Sequence, residues 1–473
     1  MIKRFQVFSA GLVTWLSLAA LCGGCTSDPG DSGSGATGGA GSSAGNGGEG
    51  AIPGSGGSDV GGLGGDGGSG GEGPHGCGDP NWACSCDEGF WHSHDHDYYC
   101  DPWSACGEGE VTINVPNEWT DRVCARVALV DQFGTEDRDT ATAVAANPDG
   151  TLCVSGQRFA SPATDARAVG AYVRKYDPDG AVLWTQSFDG DGADVADVAI
   201  DAAGNCYSLG LSFSPQGGTG EWFFRKHSAT GAVDWATTGS SAGQTPRQLA
   251  VDPDGNAIAS FVTRSPEATD APAHAELMKV DSAGALVWSA SVGSDEQAET
   301  YFGLAGGEAM VVRSTGHDQY ASTVRVTRLT EAGSVRWERS YKPYEIFDVK
   351  DMAVGPAGDA FLAGTATNSN NGTLFKLDPD GNSTPLGASS YLLTRVRSGE
   401  DGSVWLQDND GIVAWTATDE SSYGIATYGF PLRVNDFAPI PGFLVLVGEA
   451  ILPLAGQTEL GMGDAVVLKL RID

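Results

Sequence analysis

Basic side chains are scarce: 27 Lys and Arg stand against 61 Asp and Glu in 473 residues, a formal charge of −34. That deficit excludes nucleic acid and an anionic membrane surface as main partners, because phosphate contacts are made by Lys and Arg. Long apolar runs are also lacking beyond the N-terminus, and no internal stretch approaches the roughly 18 residues a spanning helix needs. Catalytic signatures are missing as well: there is no Gly-x-Ser-x-Gly elbow between a strand and a helix, no Walker A loop and no His-Glu-x-x-His helix. His227, His274 and His317 are scattered and read as surface or turn residues rather than general bases. Glycine is what abounds, at 69 residues, and its distribution divides the chain.

Lys3 and Arg4 precede an apolar run from Val7 to Leu21, the charged and hydrophobic regions of an export signal. The run ends in Leu21-Cys22-Gly23-Gly24-Cys25, which resembles a bacterial lipoprotein signal. The resemblance implies that Cys25 becomes the lipidated first residue of the mature protein, so residues 1–25 are signal and anchor. Ordinary signal cleavage nearby is the alternative, and either route carries the chain out of the cytoplasm. The expected address is a bacterial outer membrane or cell surface, with the lipid as the membrane contact. Residues 26–76 hold 23 Gly among 51 positions, six acids and no Lys or Arg. Such a stretch lacks the apolar area to offset its ordering entropy and is expected to be a disordered linker. As a glycine-rich coil it would span about 40 Å, a stalk for a domain beyond it.

Six cysteines then fall within residues 77–124: Cys77, Cys84, Cys86, Cys100, Cys106 and Cys124. In an exported chain this density reads as a disulfide framework around a small loop-rich module, with fifteen connectivities open. Cys84-Ser85-Cys86-Asp87-Glu88-Gly89-Phe90 with Cys100 resembles the C-terminal half of an EGF-like module, which implies a shape and no chemistry. His92, His94 and His96 alternate within the same module and would share one side of an extended strand, as a zinc or copper site could use. The competing reading, a solvated polar loop between bridges, is preferred.

From residue 125 to 473 the chain repeats itself. An apolar segment leading into a glycine turn recurs at Gly150, Gly204, Gly255, Gly307 and Gly358, at intervals of 54, 51, 52 and 51 residues. In register with it, a segment such as Tyr172-Val173-Arg174-Lys175-Tyr176 leads through a second glycine turn to Trp184, and the same order returns at Trp235, Trp288 and Trp337. Each unit thus reads as two hairpins, strands a and b followed by c and d, with Asp-Pro-Asp-Gly suited to the turns. Four antiparallel strands repeated at this period specify an all-β fold, a β-propeller. Counting further units at Gly402 and Gly442 gives seven four-stranded blades, and the short sixth unit keeps six or eight open. The chain stops after Val466-Val467-Leu468-Lys469-Leu470, a strand c, while Ala125 to Gly134 matches strand d. The N-terminal strand is therefore expected to complete the last blade and abolish the open edge.

Gly192-Ala193-Asp194-Val195-Ala196-Asp197-Val198-Ala199-Ile200-Asp201-Ala202-Ala203-Gly204-Asn205-Cys206-Tyr207-Ser208-Leu209-Gly210 resembles the bacterial seven-bladed propeller repeat called SBBP. The resemblance covers most of residues 125–473 and implies an exported or surface-associated propeller with no shared catalytic activity.

Several constellations stand out within this frame. Asp189, Asp191 and Asp194 share a glycine-spaced loop that could hold Ca²⁺, against the preferred reading of a solvated turn. Lys or Arg recurs in strand c at 175, 226, 279, 328, 376 and 469, as an anion-binding ring or, preferably, as ion pairs within and between blades. Acids recur in strand a at Asp197, Asp351 and Asp436. The four Trp could stack a glycan or planar cofactor, but repetition at one position argues for packing between blades. The turn before Trp235 resembles those of pyrroloquinoline-quinone enzymes, yet the adjacent Cys pair on which they stack the quinone is absent. Cys153 and Cys206, one register apart on neighbouring b strands, are candidates for a bridge between blades. The resulting expectation is a surface-anchored, non-catalytic binding or scaffold propeller for a protein or glycan ligand, with no cofactor established and Ca²⁺ as the candidate ion. The alternative is a propeller enzyme, a quinone-dependent dehydrogenase or a glycan hydrolase or lyase, with its site at the mouth of the axial channel.

Overall fold

The computed structural model describes residues 90–92, 100–107, 110–112, 124–160, 168–189, 193–212, 220–264, 274–293, 299–315, 323–341, 348–365, 372–389, 392–408, 411–415, 422–426, 432–450, 457, 461 and 463–472. Cys25, the 26–76 linker, Cys77, Cys84, Cys86, His94, His96, Asp191 and His317 lie outside the described residues, as do the side chains of His92, Cys100 and Asp189.

All regular structure among the described residues is β. Six four-stranded antiparallel sheets each use four consecutive strands: blade 1 (139–189), blade 2 (194–240), blade 3 (244–292), blade 4 (299–341), blade 5 (348–389) and blade 6 (395–426). A seventh sheet takes Leu432–Ile440, Phe443–Ala450 and Asp464–Arg471 from the C-terminus and adds Val127–Phe133 as its fourth strand. The closing pair is antiparallel, with Val467 opposite Asp131 and Lys469 opposite Leu129. Within each blade we label the strands a to d from first to last. The a strands touch one another in one closed cycle, from blade 1 through blade 7 and back to blade 1, so the sheets form a ring around an axis. The expected first strand thus closes the ring, and the two chain ends share one blade.

Burial follows from this geometry. Strand b of blade 3, Ala257–Thr263, is buried at six consecutive positions because neighbouring blades cover both faces of its sheet. Its strand d, Leu286–Val292, alternates and is largely exposed at the rim. Seven apolar clusters fill the seven gaps between blades. Between blades 2 and 3, for example, Tyr207, Leu209, Trp222 and Phe224 meet Leu249, Ala257, Ala259 and Phe261. No blade has a core of its own.

The glycine turns are the tight connections on one side of the ring. In the a–b turn of blade 2, the Asp201 Oδ1 accepts the Asn205 amide at 2.8 Å and the Gly204 amide donates to the Asp201 carbonyl at 2.8 Å. One turn departs from the sequence reading: in blade 4 the positive-φ residue is Gly306, not Gly307, because Ala305 pairs with Glu308 in a tighter hairpin.

The recurring Trp residues fasten each blade to the next. The Trp184, Trp235, Trp288 and Trp337 indole N–H groups donate to the carbonyls of Ala229, Ser282, Glu331 and Pro379, each in the c–d turn of the following blade. Each indole also lies against that turn's glycine, where a Cβ on Gly284 would come within 2.7 Å of Trp235. Blades 1 and 2 are further joined by a Cys153–Cys206 disulfide with a Cα separation of 6.0 Å. A second bridge, Cys106–Cys124, immediately precedes the closing strand. The remaining pairings of the cysteine module lie outside the described residues.

Two glycines separate the cost of backbone conformation from the cost of packing. Gly402 has φ +80° with open space where a Cβ would sit, whereas Gly284 has φ +86° with the indole in the way. Gly402→Ala is expected to destabilise by about 1–2 kcal/mol. Gly284→Ala adds a steric clash and is expected to cost about 1–3 kcal/mol more, read from urea midpoints.

Candidate functional site

The a strands surround the axis, so side chains that could converge on one point must come from them. In blades 1, 2, 3, 5 and 7 this strand carries an irregularity, at Ala141/Ala143, Val195/Asp197, Pro246/Leu249, Val349/Asp351 and Val434/Asp436. A bulge bends the strand and re-aims the residue that follows it. In blades 2, 5 and 7 that residue is Asp197, Asp351 or Asp436, the three acids noted in the sequence.

Each carboxylate reaches across a blade boundary. The Asp197 Oδ2 accepts the Leu249 amide at 2.7 Å, the Asp351 Oδ2 accepts the Val396 amide at 3.0 Å, and the Asp436 Oδ2 accepts the Val144 amide at 3.1 Å. In blade 3 Gln248 plays the same part, its Oε1 accepting the Phe302 amide at 2.8 Å. Asp197 and Asp351 also accept the amides of Val198 and Met352 in their own strands. Arg397 of blade 6 completes the arrangement by donating to the Asp351 Oδ2 and the Asp436 Oδ1, both at 2.6 Å. Arg395 stands 3.5 Å from the same Asp436 oxygen. A guanidinium thus sits between two carboxylates, and a third, Asp197, belongs to the same electrostatic group without a cation of its own.

The charges respond accordingly. Burial pushes the Asp197 carboxyl up to about 7, helped by the negative Asp436 and opposed by the Leu249 amide and Arg397. Burial works to lower the Arg397 guanidinium, but Asp436, Asp351 and Asp197 overcome it and hold its pKa above the usual value. Chemically, the axis offers one carboxyl able to exchange a proton near neutrality beside a fixed positive charge.

The other candidates from the sequence are placed as follows. The strand c cations do not form a free ring. Lys279 pairs with Asp252 at 2.9 Å, Lys376 with Asp359 at 3.1 Å and Arg328 with Glu308 at 2.8 Å. Lys175 donates to the Gly204 carbonyl, Lys226 to that of Ser282 and Lys469 to that of Pro178, all in the next blade. Asp189 ends strand d of blade 1, while Asp194 begins strand a of blade 2 and accepts the Gln157 Nε2 at 2.6 Å. Burial raises the Asp194 carboxyl, against that hydrogen bond. His92 closes the short strand Phe90–His92. Among the described residues no group of three His, Cys, Asp or Glu could hold a metal ion.

His227 corrects the reading of a surface residue. It is fully buried in strand c of blade 2, 3.1 Å from the Ser208 Oγ and near the rings of Trp184 and Phe188. Burial, reinforced by Arg225, lowers its pKa to about 4, so it is neutral at pH 7. Sequence reasoning missed Arg397, Gln248 and Asn435, whose Nδ2 donates at 2.8 Å to the Thr140 Oγ1 and the Ala141 carbonyl. The available signal was position: Gln248 precedes its turn glycine by seven residues, as Asp197 and Asp351 precede theirs.

No protein-family model matches the chain, and no curated protein matches it. Solved structures with a similar course include a catalytically inactive variant of virginiamycin B lyase from Staphylococcus aureus with quinupristin, at 10% identity and a TM-score of 0.47, covering 73% of this chain and 99% of that one. The β-propeller domain of the trilobed protease from Pyrococcus furiosus has 10% identity and a TM-score of 0.46, covering 71% and 99%. A gluconolactonase from Xanthomonas campestris has 13% identity and a TM-score of 0.37, covering 74% and 89%. Similarity at this level carries nothing about activity.

Two expectations test the axial cluster. Removing Arg397 leaves two buried carboxylates facing each other, so Arg397→Met is expected to destabilise by about 3 kcal/mol at pH 7 and by less as the pH falls and the acids protonate. For Asp197 the folded pKa lies above the unfolded value of 3.8. Its contribution is therefore complete below pH 3.8 and is lost as the pH rises towards 7. Asn does not ionise, so the stability of Asp197→Asn relative to the parent should rise steadily between pH 4 and pH 7 in denaturant titrations.

Proposed function

We propose that this chain is an exported bacterial propeller, lipid-anchored at the cell surface through Cys25, that acts as a non-catalytic binding or scaffold module. The observation that supports it is how the axial carboxylates are used. Both oxygens of Asp351 and of Asp436 are taken by backbone amides and Arg397, which ties blades 5, 6, 7 and 1 together. A catalytic pair of carboxyl groups would need oxygens directed at a substrate rather than at the neighbouring blade. Residues from 119 onward carry 46 acids against 25 bases (61 − 15 and 27 − 2), which suits a ligand bearing positive charge.

A second reading rests on Asp197. Its raised pKa gives a propeller enzyme one acid–base group at the axis, with Arg397 nearby to stabilise negative charge. The two readings part on one residue: a binding module keeps its ligand when Asp197 is replaced by Asn, whereas an enzyme loses turnover.

The tests are direct. Cys25→Ser is expected to move the protein from the membrane fraction to the soluble exported fraction, and an unchanged distribution would remove the anchor from the proposal. Pull-down and glycan-array capture with the full chain, with and without Ca²⁺, should yield a ligand whose binding weakens at least tenfold between low and high salt if it is basic. Capture of an uncharged glycan independent of salt would refute the basic-ligand assignment.

A further inference from the structure

We infer that the outer groove between blades 1 and 2 binds the carboxylate of an acidic sugar, a uronate, through Arg225. This guanidinium lies 4.7 Å over the Phe188 ring of blade 1 and 4.4 Å over the Phe223 ring of its own blade. Among the described residues it makes no ion pair and no hydrogen bond, so the rings are its contacts. The residue is half-buried, and burial lowers its pKa with no negative charge opposing the effect. Aromatic faces attract the cation but accept none of its in-plane N–H donors.

The preceding blade boundary shows what an arginine at this position takes. Arg174 stands one residue before Lys175, as Arg225 stands one before Lys226, and lies 3.5 Å over Phe133 of the closing strand. Its Nη1 donates to the Asp131 Oδ2 at 2.9 Å and its Nε to the Thr185 Oγ1 at 3.0 Å.

The strand ladders identify the counterparts of these partners. Asp131 faces Val467 and Gln186 faces Val173, each two residues before the strand c lysine, so Gln186 holds the rung of Asp131. Thr185 faces Arg174 and Ala236 faces Arg225, so alanine replaces the hydroxyl. The ring is kept, because Phe133 faces Ala465 and Phe188 faces Ala171. The second boundary therefore repeats the arginine and its ring without either oxygen partner. A ligand carboxylate supplies to Arg225 what Asp131 supplies to Arg174, and the planar fork can hold it through two N–H bonds. The scaffold does not require arginine here, since Met278, Thr327 and Phe375 hold the same position before Lys279, Arg328 and Lys376.

The surroundings of Arg225 select a sugar acid. One guanidinium suits one carboxylate, and the residues sharing its face of the groove are the amide Gln186, the hydroxyl Thr238 and the small Ala236. Amide and hydroxyl groups both donate and accept, as the ring hydroxyls of a sugar do. Ala236 and Thr238 are exposed, which leaves the groove open to solvent. Glu221 shares this face of the sheet but stands four residues from Arg225, about 13 Å along the strand.

Titration of the full chain with sodium glucuronate and separately with glucose, followed by ligand-observed NMR, tests this. The salt is held at about 0.15 M so that the charge of −34 is screened. Glucuronate is expected to bind saturably at about 10 mM or tighter, and glucose at least tenfold more weakly. Arg225→Lys keeps the charge without the fork and should weaken glucuronate at least tenfold. Gln186→Asp gives Arg225 the internal partner that Arg174 has, so it should abolish glucuronate binding while the melting temperature is retained or raised. Absence of glucuronate binding to the parent, equal binding of glucose, or binding that survives Gln186→Asp would each overturn the assignment. The axial carboxylates take no part in this groove, so its failure leaves the basic-ligand reading untouched.

Discussion

The ring depends on one pairing between the ends of the chain, Val127–Phe133 against Asp464–Arg471. Without that strand the last sheet would have three strands and an exposed edge, and every other blade would belong to an open arc. The pairing is reinforced beyond its backbone ladder. The Asp131 Oδ2 accepts the Arg174 Nη1 at 2.9 Å and the Tyr176 hydroxyl at 2.7 Å from blade 1. The Gln132 Nε2 donates to the Asp464 Oδ2 at 2.8 Å, and Arg174 lies 3.5 Å over the Phe133 ring. The closing strand therefore binds its own sheet and the next blade together, and closure couples all seven interfaces.

Given a closed ring, the interfaces solve one problem with different side chains. The boundary between blades 1 and 2 has the disulfide and the Gln157–Asp194 contact. That between 2 and 3 has Asp197 at the axis and Trp235 at the rim, and that between 4 and 5 has Arg328 and Trp337 meeting at the Pro379 carbonyl. Blade 6 has no cation in strand c, where Gly411–Trp415 reads Gly-Ile-Val-Ala-Trp. Its positive charges appear in strand a instead, as Arg395 and Arg397, and they are what the Asp351 and Asp436 carboxylates use. The axial cluster is thus the form that blade-to-blade fastening takes where the outer devices are missing, and it supports reading the axis as structural.

The sequence revealed most of this architecture because each element is written locally. A glycine turn, two alternating segments and a Trp at a fixed offset recur within about fifty residues, and the half-blades at the two ends complement each other. The sequence does not fix the turn of blade 4, because Gly306 and Gly307 are adjacent and only the pairing of Ala305 with Glu308 chooses between them. The axial site was legible only in part. Asp197, Asp351 and Asp436 stood out as recurring acids, but Arg397 sits in the blade whose repeat is most eroded, and its partners lie 46 residues before it and 39 after it in the chain. His227 looked like a turn residue because polar residues surround it in sequence, whereas its burial comes from aromatic rings donated by the preceding blade.

Blade 6 also differs in length. Its strands Arg395–Ser398, Val404–Gln407, Gly411–Trp415 and Ser422–Ala426 have four or five residues, against six to nine elsewhere in the ring. Fewer rungs in each ladder make this the most compliant sector of the ring. Local opening is expected to concentrate there, in the sector whose strand a carries Arg395 and Arg397.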